Sequence, residues 1–179
     1  MARPPRLLEV ELNLRGVEVS GTWEPNSAER KAAWELYVEL ITRISVAPLR
    51  ESEGLLREAL SSLYSLFGST RDILRQYGPE IAEPKGSGQY SFGILAVSML
   101  NFGIRPLLAR WHPILEDWEN RRPEAISRRD HERSWPDAST LRTVLQETQR
   151  ILSAYAGLLA AACGVPNLLD AVPTADPMP

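Results

Sequence analysis

The chain begins in strict alternation. Leu8, Val10, Leu12 and Leu14 are apolar, and Glu9, Glu11, Asn13 and Arg15 between and after them are polar. Period two marks a strand with one dry face. Gly16 interrupts it, and Val17, Val19 and Trp23 continue at the same spacing apart from one gap. The pattern predicts a hairpin turning at Arg15-Gly16, or one strand bulged at the glycine. Two strands alone are marginal in water, so they must lie on helices or be extended by a partner strand.

The period then lengthens. Asn26 followed by Glu29 forms a capping box, and Ala33, Leu36, Tyr37, Leu40, Ile41 and Ile44 recur at three and four, predicting a first helix that Pro48 ends. A second helix starts near Ser52. Its stripe is Leu56, Leu60, Leu63, Phe67, Leu74 and Tyr77, with Thr70 in the gap and Leu55, Ala59, Leu66 and Ile73 widening it. Gly78-Pro79 stops it, and residues 79–89 read as a loop.

Next comes the run Tyr90 to Ile104, fifteen residues without a charge. It is too apolar for a helix with one wet face and falls short of the ~20 residues that cross a bilayer comfortably. It predicts a helix hidden on most sides. Pro106 and Pro113 should bend it near residues 101–104, because each removes a hydrogen bond. The pattern resumes as Leu107, Trp111, Ile114 and Trp118, an aromatic stripe read as core together with Tyr64, Phe67 and Tyr77. Gly93 and Gly103 would let another helix approach closely, even one from a second chain. After a polar stretch over residues 119–137, a last helix capped by Asp137 or Ser139 runs to Gly164 and Pro166.

These elements predict a mainly α fold, an antiparallel four-helix bundle with a short N-terminal β-hairpin or strand. The hairpin over residues 1–25 is expected as an appendage, the bundle over 26–165, and a flexible Pro-rich tail over 166–179.

Composition changes little. Net charge is −3, hydrophobic content 44% and charged content 24%, which exclude a basic nucleic-acid surface over the whole domain. Eighteen basic residues are Arg and only Lys31 and Lys85 are Lys. Cys163 is alone, so no intrachain disulfide forms, and the start lacks the apolar stretch of a secretory signal. A cytoplasmic setting is expected.

Catalytic chemistry finds no constellation. His112 and Glu116 share a helix face, but no Glu-x-x-His accompanies them, and His131 sits between Asp130 and Glu132. Cys163 lies at a helix C-terminus, where the dipole disfavours a thiolate. Gly86-Ser87-Gly88 lacks the length and the Lys-Ser/Thr of a phosphate loop. No catalytic, cofactor or metal residue is assigned. The interaction candidates are Arg121, Arg122, Arg128, Arg129, Arg133 and Trp135, because Arg and Trp anchor interfaces. Val17, Val19 and Trp23 join them on the hairpin.

In length and helix count the chain resembles the small helical-bundle accessory proteins encoded beside larger effectors in bacterial systems, including those that assist reverse transcriptases. Those helpers tend to be basic, whereas this chain is acidic. The resemblance implies a non-enzymatic subunit or adaptor that oligomerises or docks on a larger bacterial effector, in a conflict or defence setting. A nucleic-acid-binding accessory factor using the Arg-rich stretch 121–133 is the alternative, and no membrane span is expected.

Overall fold

The alternation at the front becomes a hairpin. The computed structural model describes residues 7–43 and 54–171. Strand β1 (Leu8–Leu14) pairs antiparallel with β2 (Val17–Trp23), Leu14 opposite Val17 and Leu8 opposite Trp23. The two-residue turn needs positive φ at both positions, and Arg15 (φ 55°) and Gly16 (φ 89°) supply it. Asn13 Oδ1 accepts the Gly16 N–H at 2.8 Å.

Helix α1 (Ser27–Ile41) starts at the expected capping box. The expected stop at Pro48 and the expected helix start near Ser52 lie outside the described residues. Helix α2 (Leu56–Tyr77) buries Leu56, Ala59, Leu60, Leu63, Leu66, Thr70 and Ile73, then passes into a 3-10 turn, Gly78–Ala82. The expected loop then yields a third strand, β3 (Gln89–Tyr90), parallel to β2. The sheet order is β1-β2-β3. Thr22 N–H donates to Gly88 O at 2.9 Å, so the Gly86-Ser87-Gly88 loop is sewn to the sheet. Gly21 permits this approach: a Cβ there would lie 2.3 Å from Gly88 O.

The apolar run forms a single helical rod, Phe92–Asn120, of 29 residues. It comprises α3 (Phe92–Ser98), a π-helical segment (Met99–Ile104) and α4 (Arg105–Asn120). Arg105 N–H donates five residues back, to Leu100 O. The expected bend is thus a π-turn just before Pro106. By length and composition alone the rod could cross a membrane; half of its apolar window is buried inside the fold. Helix α5 (Arg128–Arg133) lies in the polar stretch, capped by Ser127. Helix α6 (Ala138–Cys163) ends on left-handed Gly164, and α7 (Leu168–Ala171) closes the described chain. Tyr37 pins its start, accepting from Leu168 N–H at 2.6 Å and donating to Asn167 Oδ1 at 3.1 Å. Residues 172–179 of the expected tail lie outside the described residues.

The architecture is mainly helical with a small three-stranded sheet at the N-terminus. Helix α1 packs on α6 and α2, and α2 packs on α4 and α6. The hairpin, expected as an appendage, is part of the core: Leu8, Val10, Leu12, Leu14, Val19 and Trp23 are buried in one cluster with the helices.

Glu29 joins these parts. Its side chain is fully buried. Oε1 accepts from Trp23 Nε1–H (3.2 Å) and Phe92 N–H (2.8 Å); Oε2 accepts from Asn26 N–H (2.7 Å) and pairs with Lys85 Nζ (2.7 Å). One carboxylate therefore ties the end of β2, the cap of α1 and the first residue of the rod.

Candidate interaction surfaces

The arginine-rich stretch is folded rather than irregular. Ser127 Oγ accepts the Asp130 N–H at 3.1 Å and donates to Asp130 Oδ2 at 2.6 Å, which starts α5. Arg121, Arg129 and Arg133 are exposed. Arg122 and Arg128 come together with Arg57 around a cleft of about 380 Å³ between the N-terminus of α2, the end of α4 and α5. Trp135 is buried, its ring meeting Trp111 edge-on at 6.0 Å, so it offers no anchor to a partner. Val19 and Trp23 are likewise buried, which leaves Val17 as the exposed member of the hairpin set.

The cleft also holds acids. Arg57 makes three contacts to Glu119, at 2.7, 3.0 and 3.2 Å, and its Nη1 donates to His112 Nδ1 at 2.7 Å. Burial, and then the neighbouring Arg57 cation, push the His112 pKa down. With Nδ1 filled by a guanidinium N–H, the ring presents no free lone pair toward Glu116. Among the described residues no three His, Cys, Asp or Glu side chains gather as a metal-holding group.

Glu132 is buried and caps α2 from a distant part of the chain, accepting Leu56 N–H at 2.9 Å, with Arg142 at 3.5 Å. Burial raises its pKa, opposed by the Leu56 hydrogen bond and by Arg142. His131 stacks on Trp118 with ring centres 4.6 Å apart and planes 10° apart. Reciprocal hydrogen bonds lock this stack: Trp118 Nε1–H to His131 O at 3.0 Å, and His131 Nε2–H to Trp118 O at 2.7 Å. Arg57, Glu119, His131 and Glu132 of the cleft walls are therefore paired within the fold. Burial raises the Cys163 thiol pKa to about 11, which disfavours the thiolate, and Sγ–H donates to Arg30 O at 3.4 Å.

The least satisfied surface is apolar. Ile94, Val97 and Phe102 on the rod are 44, 42 and 44% exposed. The run expected to be hidden on most sides has a wet face after all. Its glycines, by contrast, point inward. A Cβ on Gly93 would meet the Ala82 Cβ at 2.9 Å; one on Gly103 would meet Met99 Sδ of the same rod at 2.7 Å and lie at an ordinary contact distance, 3.8 Å, from Ile151 of α6. The close approach at Gly93 is thus used within the chain, by the 3-10 turn, and Gly103 makes room for Met99. Tyr64, read as core, is 65% exposed, its ring edge-on to His112 at 5.9 Å. It lies on the outer flank of α2, beside the groove where Arg105 stacks over Phe67 at 5.0 Å.

The other exposed feature is the outer edge of β1, since Arg15 is drawn inward. Its Nε–H donates to Gly103 O at 2.9 Å, and its guanidinium reaches Thr148 and Glu147 on α6. Comparison with family models, with curated proteins and with solved structures finds no match.

Proposed function

We propose that the chain is a non-enzymatic interaction module, a helical subunit or adaptor that oligomerises or docks on a larger effector protein. In this reading α1, α2, the rod and α6 act as an antiparallel four-helix bundle with the sheet laid across it. One observation carries the proposal: the uncharged face Ile94–Val97–Phe102 is left to water on the most apolar helix of the chain. The pairing in the Arg57 cleft supports it too, because Arg57, Glu119, His131 and Glu132 are each held by a structural partner.

The test is assembly. Light scattering and native mass measurement should give an oligomer or a co-purifying partner. The double variant Val97→Asp with Phe102→Asp should abolish it while the fold persists by circular dichroism. A strict monomer that co-purifies with nothing would overturn the reading. The convergence of Arg57, Arg122 and Arg128 favours a second reading, a nucleic-acid accessory factor. It predicts binding that falls steeply with salt and weakens in Arg128→Glu with Arg129→Glu. Unchanged binding in that variant refutes it. Glu58, Glu119 and Glu132 line the same cleft and offset the three arginines, which places this reading second.

A further inference from the structure

The hairpin register decides which way each backbone group of β1 points. In a two-residue hairpin the residues flanking the turn form a hydrogen-bonded pair, and such pairs then alternate along the ladder. Leu14, Leu12, Val10 and Leu8 therefore turn their N–H and C=O groups to β2. Glu9, Glu11 and Asn13 turn theirs outward. Thr22, opposite Glu9, confirms the phase from the other strand, because its N–H points away from β1 and bonds Gly88 O. Strand β1 is first in the sheet order, and no backbone bond to its outer edge occurs among the described residues. A seven-residue open edge is a template for one more strand.

The side chains say which strand it would accept. Glu9, Glu11 and Glu18 are exposed and make no ion pair among the described residues. Arg15, the only cation between Leu8 and Trp23, is occupied by Gly103, Thr148 and Glu147. A second copy pairing antiparallel about Glu11 would set that carboxylate against its own twin, and like charges directly opposite destabilise a strand pair. Lys or Arg at alternate positions would meet Glu9 and Glu11 favourably instead.

We propose that the outer edge of β1 is the docking site for an extended segment of a partner protein carrying basic side chains at alternate positions. The inference rests on the reading of the chain as an interaction module and names the chemistry of its partner. The probe is a displayed library of random twelve-residue peptides selected on the full chain. Wild type should enrich peptides with alternating basic and β-branched residues. Their binding should slow hydrogen exchange at the Glu9, Glu11 and Asn13 amides. Glu9→Lys with Glu11→Lys, both at exposed positions, should weaken those peptides about tenfold and select acidic ones instead.

Three results overturn the proposal: no basic enrichment, equal binding to the charge-reversed variant, or a peptide-free dimer whose β1 edge amides are already protected. The rod-face double variant separates this from the broader reading. If that variant loses assembly while wild type enriches no basic strand, only the edge inference fails. If basic strands are selected and no assembly forms through the rod, only the rod face is wrong.

Discussion

Glu29 is the position where one atom pair carries the most structure, and its removal gives the sharpest test of the fold. In Glu29→Ala the Trp23 indole and the backbone N–H groups of Asn26 and Phe92 lose their acceptor inside the core. A buried donor left unsatisfied costs about 1–3 kcal/mol, and relaxation makes the sum less than additive. The expected loss is about 3–5 kcal/mol, the range for breaking a buried charged pair. Glu29→Gln is more discriminating because it conserves volume. Its single oxygen can serve either the Trp23 and Phe92 side or the Asn26 and Lys85 side. Whichever it serves, the amide N–H groups face donors on the other, at a cost of about 2 kcal/mol. Lys85→Met removes the counter-charge from a side chain that is 14% exposed. Because Glu29 and Lys85 touch, the double variant should lose less than the two singles together. Urea unfolding followed by tryptophan fluorescence measures all four proteins, with the slope checked for constancy. Glu29→Gln falling within about 0.5 kcal/mol of wild type, the range of an indifferent surface change, would refute the assignment of Glu29 as the junction.

Other sites give independent outcomes. Gly21→Ala should lower the melting temperature, because the new Cβ meets backbone Gly88 O at 2.3 Å and must push β3 off β2; overpacking of this kind costs about 1–3 kcal/mol. Unchanged thermal unfolding would show that the parallel pair is dispensable. Tyr155 is buried and its hydroxyl has no hydrogen-bond partner among the described residues, so Tyr155→Phe should be neutral or stabilising by up to about 1 kcal/mol in urea; a clear loss would mean that the hydroxyl is bonded. His112 has its pKa lowered in the folded state, so between that value and the ordinary 6.5 the unfolded chain binds more protons. Its contribution is present above pH 6.5 and lost as pH falls. His112→Asn keeps an acceptor for Arg57 without the titration, so wild type should lose stability relative to it between pH 7.5 and pH 5.5. Parallel curves would contradict the assignment.

The strand and helix periods were readable because local pattern and burial agree along most of the chain. Leu8 through Leu14 alternates without a fault, and each apolar member is buried. The capping box at Asn26 is equally local. What could not be read is what depends on distant partners. Gln89–Tyr90 is a strand only because Gly21 leaves room beside it, and two residues carry no period of their own. Glu29 announces itself in sequence as a cap residue, while its bonds to Trp23, Phe92 and Lys85 come from elsewhere in the chain. Trp135 reads as an interface anchor because Arg and Trp are favoured there, but Trp111 of α4 covers it in the turn between α5 and α6.

The rod shows a subtler failure that also explains its wet face. In α3 the buried positions are Phe92, Gly93, Leu95 and Ala96; in α4 they are Leu107, Leu108, Trp111 and Leu115. On one uninterrupted 3.6-residue helix these two sets face directions roughly 100° apart, the rotation of a single residue. The π segment inserts that residue, and the Arg105 bond to Leu100 is its signature. A reading in unbroken phase therefore places Ile114 in the core, whereas it is exposed and Leu115 is buried. The insertion brings both stripes onto the same core and presents Phe102 to water beside Ile94 and Val97. Pro106 permits the extra residue, since it has no N–H to contribute to the α ladder. Arg15 from the hairpin turn holds the segment by its Gly103 carbonyl. The turn of the sheet, the π segment and the exposed apolar face are thus one arrangement, and a variant that releases Arg15 should disturb the rod face before it disturbs the distant cleft at Arg57.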